Sequence, residues 1–247
     1  MFIQFHKNIA YLKNNGTPWL TPRLNDSLKA LIPKDTEFKA LSKGTVIIKE
    51  NEYPDQLVYV KSGSVCTSFV NDYVMKNILI TGIFPEGGLT ASMANIADYV
   101  EYRRIEVFSK STVVGLVPFM EIEKQISRDH SLYKDYVTYA SKCDKTRIAT
   151  LKINSSYPPD LRYKLYLAAK LVSIGVHIPE PDKNVWLPVP YPAGRHKHHL
   201  ALNVSKSTID RMLEEWRAKG YYKYINNIYH IHASALSELN DFSLQYT

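Results

Sequence analysis

Residues 119–153 contain neither proline nor glycine. Within them Ile122, Ile126, Tyr133, Val137, Ala140, Ile148 and Leu151 recur at intervals of one or two helical turns, three or four residues or seven or eight. That pattern predicts one continuous helix of about 50 Å at 1.5 Å rise per residue. A helix of this length outlasts a single small domain. Part of its apolar stripe is therefore expected to meet a second copy of the chain, through Ile122, Ile126, Tyr133, Val137 and Ala140. The alternative is that the stripe packs on the chain's own strands. Asp144 and Arg147 interrupt it, setting register or standing in solvent. Cys143 lies on the same helix, where it either pairs with its symmetry mate or fills the core as a small hydrophobe.

The segment before this helix follows another period. Thr45–Ile48, Leu57–Val60 and Ile78–Ile80 are short β-rich runs. They are separated by turn signals at Lys43-Gly44, Tyr53-Pro54-Asp55, Ser62-Gly63, Asn71-Asp72 and Pro85-Glu86-Gly87-Gly88. Many short strands so punctuated predict a sandwich or barrel over residues 36–118. Residues 1–35 read as a mostly helical lead-in, with an amphipathic Leu24–Ile32 ending before Pro33.

Beyond the long helix, Tyr157-Pro158-Pro159-Asp160 marks a hinge. The prolines stop one helix and Asp160 is placed to cap the next, over Leu161–Val176. Val185–Pro192 is extended and interrupted by proline. Ser205–Gly220 then carries the clearest local code in the chain. Ser205 is a good N-cap, Ile209, Met212, Leu213 and Trp216 form one apolar face, and Gly220 suits the C′ position. Lys206, Ser207, Thr208 and Arg211 fall on the outward side of the first two turns, where they present donors to phosphates and base edges. Tyr221–His232 reads as a hairpin turned at Asn226-Asn227, since Asn tolerates positive φ. Helices followed by such a hairpin predict a winged helix-turn-helix over residues 157–247, joined to the β region by the helix of residues 119–156. The fold class is α+β.

The chain has 247 residues and a formal charge of +7, which favours an anionic partner. Its two cysteines, Cys66 and Cys143, make no disulfide framework and fit a reducing cytoplasm. No apolar run is long enough to span a bilayer, and the first residues lack the pattern of a secretory signal. No nucleophile–base pair or paired carboxylates suggest an enzyme.

Two segments carry a resemblance to the Crp/Fnr family of bacterial transcription regulators. Leu41-Ser42-Lys43-Gly44-Thr45-Val46-Ile47-Ile48, followed by Leu57-Val58-Tyr59-Val60-Lys61-Ser62-Gly63-Ser64-Val65, is similar to the early β-roll pattern of that family. Leu202-Asn203-Val204-Ser205-Lys206-Ser207-Thr208-Ile209-Asp210-Arg211-Met212-Leu213 resembles its helix-turn-helix core, with Asn203 where glycine is usual. The resemblance implies an N-terminal β-roll (a double-stranded β-helix like that of cyclic-nucleotide-binding domains), a long dimerisation helix and a C-terminal winged helix-turn-helix. It implies a homodimer on pseudo-palindromic double-stranded DNA, with RNA polymerase as a further partner. Lys206, Ser207 and Arg211 would face bases, and Ser205 and Thr208 would meet phosphate. Ser207 replaces a common Glu, so site preference should differ. His198 and His199 stand where small or apolar residues are expected in the first helix. The competing reading is a degenerate β-roll and winged-helix module that binds protein without specific DNA affinity.

In that family a Glu after a Gly takes the ribose hydroxyl of a cyclic nucleotide, and an Arg neutralises the phosphate. Here Ala91-Ser92 stands at the Gly-Glu position and Glu86 lies at the wrong offset. Control by cAMP is therefore not expected. Gly87 and Gly88 read as a β-turn, and Arg103 and Arg104 as edge-strand charges. Two cysteines are too few for an iron–sulfur cluster, and no histidine lies between His6 and His130 to hold haem or a cupin metal. No cofactor and no metal are expected. His196 with His199, and His230 with His232, have helical and strand spacings, but lack an acid or thiol partner for a metal site. Phosphate contact suits them better.

Overall fold

The computed structural model describes residues 6–10, 17–50, 55–71, 77–91, 103–189, 198–226 and 228–240. Tyr53, Pro54, Asp72, Ser92, Pro192, His196 and Asn227, singled out above, lie outside them. The chain divides into two compact units: Leu20–Ile148, and Met1–Trp19 together with Ala149–Thr247.

The first unit is built on two antiparallel sheets. Strands β1 (Phe38–Ser42), β2 (Val46–Ile48), β3 (Gln56–Ser62), β4 (Ser64–Asn71), β5 (Asn77–Pro85), β6 (Arg104–Val107) and β7 (Ser111–Pro118) pair in the orders β1-β7-β3 and β2-β6-β4-β5. Leu57, Val58 and Val60 of β3 and Val114 and Val117 of β7 are buried and join Val65, Phe84 and Leu89 in one core. The β3–β4 turn needs Gly63. Its φ is 79°, and a Cβ there would collide with the Ser111 carbonyl. A short helix α1 (Asp26–Lys29), capped by Asn25 on the Leu28 amide at 2.9 Å, closes one side.

The single long helix expected over residues 119–153 is two helices, α2 (Phe119–Ile126) and α3 (His130–Ser156). The break needs no proline. The Asp129 carboxylate accepts from the Ser131 and Leu132 amides at 2.8 and 3.1 Å, capping α3 and drawing residues 127–129 out of the helix. α3 alone runs about 40 Å, and the division between the units falls within it.

The second unit holds the end of α3, then α4 (Pro159–Ser173), β8 (Trp186–Val189), α5 (His198–Ala201), α6 (Lys206–Ala218), β9 (Tyr222–Ile225), β10 (Ile228–His232) and a 3₁₀ segment, Ala233–Asn240. Asp160 was expected to cap α4 but does not: Pro158 precedes the first turn with no side-chain cap. Pro159 sits at N1, where its missing N–H is no loss. The Asp160 carboxylate is drawn away by the Trp216 indole and by Lys164. β8, β10 and β9 form a small antiparallel sheet with β10 in the middle. Pro188 is tolerated in β8 because that strand pairs on one side within this sheet. The β9–β10 turn has Asn226 at φ 50°.

Residues 6–10 and 17–19 also belong to this unit. Asn8 donates to the Leu239 carbonyl at 2.6 Å. Trp19 is fully buried and packs edge-on against Tyr166 at 5.3 Å.

Candidate nucleic-acid interface

The helix-turn-helix is short and tightly held. After α5, the chain turns through Leu202-Asn203-Val204, with Asn203 at φ 51° in the left-handed region that Asn tolerates better than most residues. Ser205 then starts α6, its Oγ accepting from the Thr208 amide at 3.1 Å. Ile209, Met212, Leu213 and Trp216 are buried, as their spacing predicted. Lys206, Ser207 and Arg211 are exposed, Thr208 is half-buried, and Ser205 is exposed at the helix start. Ser205 Oγ lies 2.8 Å from both Ser207 Oγ and Thr208 Oγ1. The predicted residues thus form one patch at the N-terminal end of α6, two cations flanking three hydroxyls. The first-turn amides of α6 add positive potential to it.

Behind this patch the unit is cross-braced. Lys164 pairs with Asp160 at 2.5 Å and Glu238 at 2.7 Å, and Asp160 accepts from Trp216 Nε1 at 2.8 Å. His198 is buried, its ring 5.3 Å from Tyr166 and 6.4 Å from Tyr163, so α5 packs through aromatic contacts where smaller residues were expected.

Sequence reasoning missed three side chains that hold the turn. Trp19 Nε1 and Asn154 Nδ2 both donate to the Ala201 carbonyl, at 2.7 and 2.9 Å. Arg162 Nη1 donates to the Leu202 and Asn203 carbonyls at 2.9 and 3.2 Å, and its Nε to Tyr157 O at 2.5 Å. Their acceptors are backbone atoms distant in sequence, which leave no pattern to read.

No family model and no curated protein matches this chain. Solved structures do. FixK2 from Bradyrhizobium japonicum is 13% identical and superposes with a TM-score of 0.67, over 86% of this chain and 99% of that one. TTHB099 from Thermus thermophilus, described as a transcriptional regulator of the CRP family, is 14% identical with a TM-score of 0.58, over 84% and 98%. A protein from Eubacterium rectale described under the Crp/Fnr family is 20% identical with a TM-score of 0.57, over 89% and 96%. The chain has the Crp/Fnr fold.

Within this Crp/Fnr fold the glycine turn of the β-roll is taken up by its own backbone. Gly87 N–H bonds Val60 O at 2.8 Å, Gly88 N–H bonds Pro85 O at 2.9 Å, and Gly88 O accepts from Val60 N–H at 2.9 Å. Glu86 is exposed. The edge-strand reading of the arginines does not hold. β6 lies between β2 and β4, and Arg104 pairs across its own strand with Glu106 at 3.4 Å. Arg103 is turned inward and buried, as is Arg147, which pairs with Asp144 and donates to Ala91 O at 3.4 Å.

The residues expected at a dimer seam divide into two sets. Ile122, Ile126 and Ala140 are buried in the core of their own chain with Tyr136, Tyr139 and Cys143, where a second copy cannot reach them. Tyr133 is exposed and Val137 half-buried, and Ser141 and the exposed Ile148 continue the same side of α3. Burial pushes the Cys143 thiol up to about 12, away from the thiolate a redox sensor requires.

His232 is engaged by Ser234 Oγ at 2.6 Å and Asn184 Oδ1 at 3.1 Å, with its ring against Trp186. Among the described residues no group of three or more His, Cys, Asp or Glu could hold a metal. No helix among them is long and apolar enough to cross a membrane.

Proposed function

We propose that this protein is a sequence-specific DNA-binding transcription regulator that acts as a homodimer and is not controlled by cAMP. The observation that carries the reading is the α6 patch. Lys206, Ser207 and Arg211 stand exposed on a capped helix whose opposite face is anchored in the unit, and this is the arrangement a major-groove helix needs. Arg211 supplies a planar fork suited to guanine, and Lys206, Ser205 and Thr208 supply phosphate donors.

Two such helices on one operator would be brought together along α3. Tyr133, Val137, Ser141 and Ile148 are spaced four, four and seven residues apart, a seam-like pattern left open by the chain's own core. Independence from cAMP is supported by the inward-bonded glycine turn, the outward Glu86 and the absence of a Glu beside Ala91. RNA polymerase is the partner through which bound protein would change transcription. No catalytic role belongs to this reading.

Selection of random duplexes by the full chain tests it. The expected result is enrichment of a pseudo-palindrome with half-sites about one helical turn apart, bound with an affinity that falls steeply with salt. Selection that enriches no sequence refutes it and favours the protein-binding module.

A further inference from the structure

The turn before the recognition helix is clamped from three separate segments of the chain. At the end of α5, the amides of Leu202, Asn203 and Val204 turn back to the carbonyls of His198, Leu200 and His199. The next three carbonyls, those of Ala201, Leu202 and Asn203, point onward and lie beyond the helix's own bonding. Each accepts from a side chain instead. Trp19 comes from the N-terminal segment, Asn154 from the last turn of α3, and Arg162 from the first turn of α4. Ser205, which starts α6, follows Asn203 by two residues, so the direction of α6 depends on how these carbonyls are held.

Trp19 itself is over-determined. It is fully buried, its amide donates to Thr150 Oγ1 at 2.6 Å, its ring meets Tyr166, and its φ is 65°. A non-glycine residue persists in that region of the backbone only where its surroundings enforce it. Arg162 adds a further link. One guanidinium joins Tyr157, just past the end of α3, to the turn that launches α6. Its charged donors make these the stronger bonds of the set.

We propose that Trp19, Asn154 and Arg162 are positioning residues of the recognition helix, fixing α6 through the Ala201–Asn203 carbonyls so that the N-terminal segment and the end of the long helix set its fitness for specific DNA. The inference rests on the DNA-binding reading above and concerns residues that touch no DNA in it. Contacts to phosphate tolerate small shifts of a helix, whereas base contacts do not. The clamp is therefore expected to govern sequence discrimination more than total affinity.

The test uses the full chain in three forms besides wild type: Trp19→Phe with Asn154→Leu, Arg162→Met, and Arg162→Lys. The first pair keeps an aromatic ring and an aliphatic side chain at these positions and removes both donors to Ala201. Arg162→Lys keeps the charge and loses the fork, and is expected to behave like Arg162→Met. Amide hydrogen exchange at residues 204–209 should accelerate roughly tenfold or more, with β8–β10 unchanged. The ratio of affinity for the selected duplex to that for random duplex should fall by a similar factor, with random-duplex affinity nearly constant. Unchanged exchange at residues 204–209, acceleration spread evenly over the unit, or equal losses on both duplexes would overturn the proposal. If wild type selects no sequence, the DNA-binding reading fails, while the exchange measurement still decides whether these residues hold α6.

Discussion

Lys170 offers a test of how the second unit is held. It lies in α4, 3% exposed, with Nζ 5.1 Å from the centre of the Tyr166 ring. Burial strips its ammonium of water and lowers its pKa from 10.5 to about 7. Between those values the unfolded chain binds a proton that the folded chain does not. Stability from this group therefore rises as pH increases from 7 to 10.5, and it is lost as pH falls toward 7. The slope is about 1.4 kcal/mol per unit, and the whole interval amounts to roughly 4–5 kcal/mol. Lys170→Met keeps most of the stem and removes the charge. The variant should be more stable than wild type by a few kcal/mol at pH 6, and the gap should shrink steadily toward pH 9.5. The chain's three tryptophans, Trp19, Trp186 and Trp216, all belong to the same unit as Lys170. Urea titrations followed by tryptophan fluorescence therefore report the relevant transition. A gap independent of pH, or a variant less stable than wild type at pH 6, would refute the reasoning.

Arg211→Ala should lose about 1–3 kcal/mol of affinity for the selected duplex while leaving thermal unfolding unchanged, because a bidentate base contact is worth that much; a gel-shift series at fixed salt reads it. Val137→Asp should turn a dimer into a monomer in sedimentation, since like charges would meet across a two-fold axis. Ala140→Asp places its charge in the chain's own core instead and should lower the unfolding midpoint of the first unit in monomer and dimer alike. Calorimetry with millimolar cAMP or cGMP should show no saturable heat. Micromolar binding of either would overturn the reading of the Pro85–Ala91 turn.

Local chemistry was legible in this sequence, and long-range chemistry was not. Ser205, Asn203 and the face of Ile209, Met212, Leu213 and Trp216 act within one turn or one helix, so spacing alone places them. The β-rich runs and the turns at Lys43-Gly44 and Ser62-Gly63 are equally local. The break between α2 and α3 was missed because Asp129 competes with the helix through its side chain, leaving the apolar period nearly intact. The stripe of α2 and α3 was read correctly as apolar, but period cannot say whose surface covers it. For Ile122, Ile126 and Ala140 the answer is the chain's own sheets. Arg103 and Arg147 look like surface charges in sequence, and burial is a property of the assembled core.

The N-terminal segment has a consequence for how this protein is made. Asn8 bonds Leu239, and Trp19 bonds Ala201, across 231 and 182 residues. On the ribosome, Asn8 and Trp19 emerge before the β-roll and the long helix and must wait while both are synthesised behind them. Closing contacts of such span comes late and slowly. Through that interval the indole of Trp19 lacks its Ala201 and Tyr166 partners. A fragment that begins at residue 149 would lack one wall of its own core. The unit that carries α6 thus completes its core only after the residues around Leu239 have been made.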